Sequence, residues 1–483
     1  MLGSNGLQNG LGNSIKKRLA DAVGTDGVID GEAGLRVYEC DGYTLEKARP
    51  ELVLLPPDTA SVARVVAILG DASIPFVPRG AGTGVSGGCL PERIPVMIGT
   101  SRMRRIREID LANRRVVAEA GVVNLEISRR VAEHGYYYAP DPSSQSACTI
   151  GGNIAENSGG PHTLKYGVTV NHLLALEMVL PDATVIDIDR SGATPGYDLA
   201  GLVTGSEGTF GIVTAATLKL SVTPEAVATM LAVFPGVAEA SRAVSAIIAA
   251  GIIPAALEMM DALVISAVEA AYGFGFPEDA GAVLIIELDG LEVGLDELVA
   301  RVEQACREQG ASEVRRAADE AERELLWKSR KRAFGAMGRL APSYCTQDGV
   351  VPRSKLPEIV AVIEGASAKY GLRIANLMHA GDGNIHPLVL YNDRDPDETA
   401  RVVACGNEIL EGCLALGGSV TGEHGIGVEK IGLMAASFGA AELEAMQDVK
   451  ASFNPDQLCN PYKVFPSDRG CIEVKRPRPR GGG

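Results

Sequence analysis

The apolar residues of this chain change period several times, and each change marks an element. Residues 52–55 form an apolar run of strand length. Val62, Val65, Val66 and Leu69 then recur at helical spacing behind the turn and cap residues Pro56-Pro57-Asp58-Thr59, and residues 74–77 return to a strand pattern. This predicts a β-α-β start. The stretch 116–138 repeats strand, helix and strand, and the runs 173–180 and 184–188, joined by Pro181-Asp182-Ala183, predict a hairpin. Beyond Lys219 glycine thins out, and long Ala/Val/Glu/Arg helical patterns such as 297–332 alternate with strand-like runs such as 283–288. A domain boundary is therefore expected near residue 222.

One further hairpin carries chemistry. The apolar runs 374–378 and 385–390 flank Gly381-Asp382-Gly383-Asn384, residue types that tolerate the positive φ of a tight turn. His379 and His386 lie symmetrically about the centre of this hairpin, which predicts cross-strand partners on one face with Cβ atoms roughly 5 Å apart. Together with Glu423 they would make a two-histidine, one-carboxylate site with open positions, suited to Zn, Mn or Fe as a Lewis acid. The adjacent His424 would remain to move a proton. The same residues read equally as a packed histidine pair and an ordinary loop.

Composition narrows the class. Among 483 residues, 46% are hydrophobic, enough for two or three domains with real cores, and a net charge of −16 argues against nucleic acid as a partner. The basic run Lys475-Arg476-Pro477-Arg478-Pro479-Arg480 reads as a solvated, flexible tail. The first residues lack the apolar core of a secretory signal, and the apolar stretch 243–257, interrupted by Gly251 and Pro254, is too short for a transmembrane segment. Nine cysteines without a CxxC pair fit reduced thiols, so a cytoplasmic protein is expected.

The 57 glycines are concentrated in three clusters. The first, 78–88, contains Arg79-Gly80-Ala81-Gly82-Thr83-Gly84 and Gly87; its GxGxxG spacing follows a strand, as in a nicotinamide-binding turn. Pro91 and Pro95 follow too closely for the helix such a turn must open, which leaves an extended loop of backbone N–H groups able to approach a pyrophosphate. The second runs from Asp141 and Ser143 through Thr149, Gly151, Gly152 and Asn153 to Gly160, and the third, 204–213, holds Gly208 and Ile212.

The three clusters, with Lys165-Tyr166-Gly167 and the C-terminal Asn460-Pro461-Tyr462-Lys463, resemble the flavoprotein superfamily of vanillyl-alcohol oxidase and p-cresol methylhydroxylase. Over about residues 45–466 the resemblance is to its branch of glycolate oxidase flavin subunits and D-lactate and D-2-hydroxyglutarate dehydrogenases, whose metal and catalytic signatures resemble residues 379–386 and 422–425. It implies an α+β fold with a two-part FAD-binding domain and an α+β substrate or cap domain built on an antiparallel sheet. The implied division is an N-terminal segment 1–44, an FAD-binding domain 45–222, a cap domain 223–410, a C-terminal segment 411–466 returning to the FAD site, and a flexible tail 467–483.

By the same resemblance, FAD contacts fall on Arg79, Gly80, Ala81, Gly82, Thr83, Gly84, Gly87, Asp141, Ser143, Thr149, Gly151, Gly152, Asn153, Gly208, Ile212, Asn384 and Asn460. The metal ligands are His379, His386 and Glu423, the general base is His424, and the substrate carboxylate meets Arg330, with Arg353 a second choice. No histidine stands in the first loop for covalent attachment, so non-covalent FAD is expected, Cys89 and Cys148 leaving a thioether open.

The implied reaction is oxidation of a small 2-hydroxy acid, glycolate or D-lactate, to the 2-oxo acid. Thr346-Gln347-Asp348, where the 2-hydroxyglutarate enzymes carry a lysine ahead of the aspartate, and the apolar Pro387-Leu388 disfavour a dicarboxylate. A 2-hydroxyglutarate-type dehydrogenase and a non-catalytic flavin-binding subunit remain alternatives. Partners implied by the glycolate oxidase resemblance are a second flavin subunit and an iron–sulfur subunit, with peripheral attachment at the inner membrane through them.

Overall fold

The computed structural model describes residues 11–190 and 196–466. The expectations for the first ten residues and for the basic tail 467–483 lie outside the described residues. The predicted β-α-β start forms a small sheet in which Leu52–Leu54, Val96–Gly99 and Phe76–Arg79 run parallel in that spatial order, with Val28–Ile29 antiparallel at the edge. Asp58 caps the helix Thr59–Asp71 by accepting the Ser61 N–H at 2.8 Å. That helix lays Val62, Val65, Val66 and Leu69, all fully buried, onto Leu52, Leu54 and Ile98. The first glycine cluster leaves the end of the strand Phe76–Arg79.

A five-stranded antiparallel sheet follows, ordered Ile106–Asp110, Arg115–Glu119, Ile212–Lys219, Leu173–Val179 and Val185–Asp189. Its last two strands are the predicted hairpin. The second glycine cluster, for which the sequence suggests no helix, contains a short one, Ile150–Glu156. Thr149 caps it, its hydroxyl accepting from the Gly152 N–H at 3.4 Å. Helix propensity alone disfavours Gly151 and Gly152, so it is the cap and the buried Ile150 and Ile154 that hold this turn.

The remaining large sheet is antiparallel throughout. Its spatial order is Glu313–Arg316, Ala226–Phe234, Ala282–Gly290, Ala256–Asp261, Arg373–His379, Asn384–Tyr391 and Ser343–Thr346, with Gly349–Val350 also pairing to Asn384–Tyr391. Helices cover both faces, so successive residues of one strand enter different cores: Met230, Leu284 and Ile286 in one, Leu231, Val283 and Ile285 in the other. This explains the nearly unbroken apolar runs. The helical pattern over 297–332 is two helices, Leu295–Glu308 and Glu320–Ala336, separated by the strand Glu313–Arg316; Gly310, at φ +91°, ends the first and Asp319 caps the second.

After the helix Pro396–Ala415 the chain returns to the first half. Phe453 stacks on Phe210 with ring centroids 4.7 Å apart, and Cys459 bridges in parallel to Phe76. Among the described residues no helix is long and apolar enough to cross a membrane.

Candidate active site

The three glycine clusters converge on one wall of a cavity of about 700 Å³, within the size range of small-molecule sites. They touch through glycines that admit no side chain. A Cβ on Gly80 would lie 2.6 Å from the Thr149 hydroxyl, and one on Gly208, at φ +66°, would lie 2.7 Å from Cγ of Pro78. Asn460 ties the first cluster to the third by donating to Gly88 O at 2.9 Å and Glu207 O at 2.7 Å. Backbone N–H groups and close-set glycine loops along the cavity suit a dinucleotide such as FAD.

Arg79, Gly80, Ala81, Gly82, Thr83, Gly84, Ser143, Thr149, Gly151, Gly152, Asn153, Gly208 and Ile212 line this cavity. Gly87, Asp141, Asn384 and Asn460 are absent from its lining. Asp141 instead faces His162, Asn384 donates to Asp348 at 2.7 Å, and Gly87 sits against Tyr43 and Val428. The segment 41–45, read in sequence only as the end of an N-terminal segment and the start of the next, supplies part of the wall; the Gly42 N–H donates to Gly84 O at 2.7 Å.

The opposite end of the same cavity is lined by Arg330, His379, His386, Glu423 and His424. The hairpin forms from Arg373–His379 and Asn384–Tyr391, but its register is not the symmetric one: His379 pairs with Asn384, and His386 pairs with Leu377. The two imidazoles are diagonal neighbours on one face, ring centroids 5.1 Å apart and perpendicular. Nε2 of His379 lies 3.3 Å and Nε2 of His386 3.2 Å from Glu423 Oε1, and the three ligand atoms lie within 4.8 Å of one another. Nitrogen and carboxylate donors at this spacing could share a divalent cation. Burial opposes charge on His379, yet Glu258 and Glu423 outweigh it and raise its pKa well above the ordinary value. Burial likewise opposes charge on Glu423, and His379 with His386 holds it well below the usual carboxylate range.

His424 stacks on His386 with centroids 4.9 Å apart. Burial lowers its pKa to about 4 against the pull of Asp348, so the ring is neutral at physiological pH, and among the described residues its buried Nδ1 has no hydrogen-bond partner. Asp348, itself fully buried, holds the whole loop. It accepts from the Thr421 hydroxyl at 2.6 Å, from the backbone N–H groups of Gly422 at 2.9 Å, Glu423 at 3.2 Å and His424 at 2.9 Å, and pairs with Lys430 at 3.3 Å. Beyond the loop, Glu207 of the third glycine cluster accepts from Ile426 N and Gly427 N, both at 2.7 Å. One carboxylate thus anchors the imidazole to the hairpin, and another anchors it to the cofactor wall.

Arg330, from the helix Glu320–Ala336, is only 2% exposed; its Nε lies 2.8 Å from Glu258, while its Nη2 is buried without a partner beside the cavity. A buried cation with a free donor end suits an anionic group. Arg353 is absent from the cavity lining. On the same helix, Trp327 donates to Glu287 at 2.6 Å, and Glu287 also accepts from Thr229 at 2.7 Å and faces His162 at 3.2 Å. His162 reaches back to Asp141 at 2.8 Å. The sequence reading uses Asp348 only for substrate choice and misses Glu258 and Glu287. For those two a signal exists: each is a carboxylate set among apolar residues inside a strand run, and a charge there is rarely buried unless paired.

Residues 50–189 match the family described as FAD binding domain, and residues 223–464 match FAD linked oxidases, C-terminal domain. Glycolate oxidase subunit GlcD of Escherichia coli (strain K12) is 47% identical over 90% of this chain and 88% of its own length. D-lactate dehydrogenase of Anaerostipes hadrus is 32% identical over 86% of this chain and 90% of its own. In fold, the chain is similar to p-cresol methylhydroxylase, with a TM-score of 0.81 at 18% identity over 95% of this chain and 98% of that one. The two-part FAD-binding fold and the resemblance read from the glycine clusters both hold, and the chain belongs to the FAD-linked oxidase family and is an FAD-dependent oxidoreductase.

Proposed function

We propose that the protein oxidises a small 2-hydroxy acid, glycolate or D-lactate, to the corresponding 2-oxo acid. The carrying observation is that Arg330, His379, His386, Glu423 and His424 line the same cavity as the glycine loops. Bound FAD supplies the hydride acceptor. Residues 45–222 hold it in this reading, residues 223–410 cap it, and residues 411–466 return with Glu423 and His424.

Arg330 binds the substrate carboxylate through its free Nη end and so orients the hydroxyl-bearing carbon. His424, neutral and without a partner at Nδ1, takes the hydroxyl proton on its ring. His379, His386 and Glu423 would hold a divalent cation, Zn, Mn or Fe, which would supply Lewis acidity at the substrate oxygens. The Escherichia coli relative is a glycolate oxidase subunit, and we extend this to an assembly with partner subunits that carry the electrons onward.

Anaerobic reduction of the bound flavin tests the reading, using glycolate, D-lactate, L-lactate and D-2-hydroxyglutarate before and after chelation. Bleaching by glycolate or D-lactate, lost on chelation and restored by a divalent cation, is the expected result. Bleaching by the dicarboxylate alone, or by none of the four, would overturn it.

A further inference from the structure

Among the described residues, Glu258 is the carboxylate that touches both His379 and Arg330. It lies on the strand Ala256–Asp261, where the register sets it directly opposite His379. It is 1% exposed. Its Oε1 lies 2.7 Å from His379 Nδ1, and its Oε2 lies 2.8 Å from Arg330 Nε. Strand alternation turns Glu258, like Met260, toward the face covered by the helix that bears Arg330, whereas Leu257 and Met259 enter the other core.

Each contact has a chemical consequence. A carboxylate accepting Nδ1–H leaves the lone pair on Nε2, the atom 3.3 Å from Glu423. The ion pair at Arg330 Nε, a close charge contact and not an aligned hydrogen bond, holds the guanidinium at the cavity, where Nη2 has no hydrogen-bond partner among the described residues. Glu258 also stands between a guanidinium and the place a dication would occupy, and so offsets their mutual repulsion. Asp348 is placed differently: it faces His386 Nδ1 only at 4.0 Å, and the donors closest to it are in the Thr421–His424 loop, Asn384 and Lys430.

Resting on the proposed function, we infer that Glu258 is a positioning residue that holds Arg330 and His379 as one assembly, so that substrate carboxylate and divalent cation depend on the same buried group. Removing its charge weakens both at once while leaving the flavin in place.

The test uses flavin-loaded wild type, Glu258→Gln and Glu258→Asp, each stripped with a chelator and titrated with Mn²⁺, free metal being followed by electron paramagnetic resonance. In parallel, kcat and KM for the 2-hydroxy acid are measured at saturating Mn²⁺. Glu258→Gln, which keeps an acceptor for His379 but offers Arg330 no charge, is expected to bind Mn²⁺ about 10-fold more weakly and to raise KM by about 10- to 100-fold, with kcat changed less. Glu258→Asp keeps the charge on a shorter arm and is expected to recover part of both; it carries the test if Glu258→Gln does not retain flavin. Wild-type Mn²⁺ affinity and KM in Glu258→Gln, or in Glu258→Asp where that variant carries the test, would overturn the inference alone. A wild-type protein that binds no Mn²⁺, Zn²⁺ or Fe²⁺ would overturn the metal reading, and the inference with it.

Discussion

The two ends of the cavity are built from different material. The cofactor wall is largely backbone: three loops approach so closely that Gly80 and Gly208 have no room for a Cβ, and few charged side chains are involved. The cap end is side chains, among them the ionisable Arg330, His379, His386, Glu423 and His424, held by buried carboxylates from other elements. Damage to the first should therefore appear as lost flavin, and damage to the second as lost turnover with flavin still bound.

The largest separation is expected from His424→Ala, which should lower kcat by about 10²- to 10⁴-fold while flavin content stays at the wild-type level. Turnover within a few-fold of wild type would break the contrast at its strongest point. Next comes Asp348→Ala. It strips the Glu423–His424 loop of its anchor and removes the carboxylate paired with Lys430, which is 1% exposed, at about 3–5 kcal/mol of stability. Thermal unfolding and activity should fall together, and an unchanged melting temperature would contradict this role.

On the cofactor side, Gly208→Ala must place a side chain at φ +66° against Pro78. The left-handed conformation alone costs about 1–2 kcal/mol, so roughly tenfold weaker FAD binding is expected, with near-normal turnover per flavin retained. Equal loss of turnover per flavin would blur the distinction between the two ends.

The smallest effect concerns the link between the halves. Burial opposes charge on His162, but Asp141 and Glu287 outweigh it and raise its pKa to about 10. Since the unfolded value lies near 6.5, the stabilisation by His162 is complete below that pH and fades as pH climbs toward about 10. The melting-temperature gap between wild type and His162→Gln should shrink over that window, and a gap independent of pH would remove the ionic clasp.

The same contrast explains what could be read from sequence. Backbone-built features announce themselves locally: the Asp58 cap, the glycine clusters and the turn Gly381–Asn384 are all contiguous signals, and the elements they predict are present. Side-chain networks do not. Asp348 meets the Thr421–His424 loop more than seventy residues away, and Glu258 meets Arg330 across more than seventy residues and His379 across more than a hundred, so nothing near either carboxylate names its partners. Register was also beyond reach. Hairpin symmetry favoured His379 opposite His386, whereas the four-residue turn pairs His379 with Asn384 and makes the imidazoles diagonal. The helix Ile150–Glu156 was hidden by its two glycines, because tertiary packing and one cap override a poor propensity.

The most direct measurement is a crystal structure of the flavin-loaded protein soaked with Mn²⁺ and examined by anomalous scattering. The account predicts a metal peak coordinated by His379, His386 and Glu423, with the flavin ring in the shared cavity beside His424. A peak bound by other residues, or a flavin ring remote from that cluster, would contradict it.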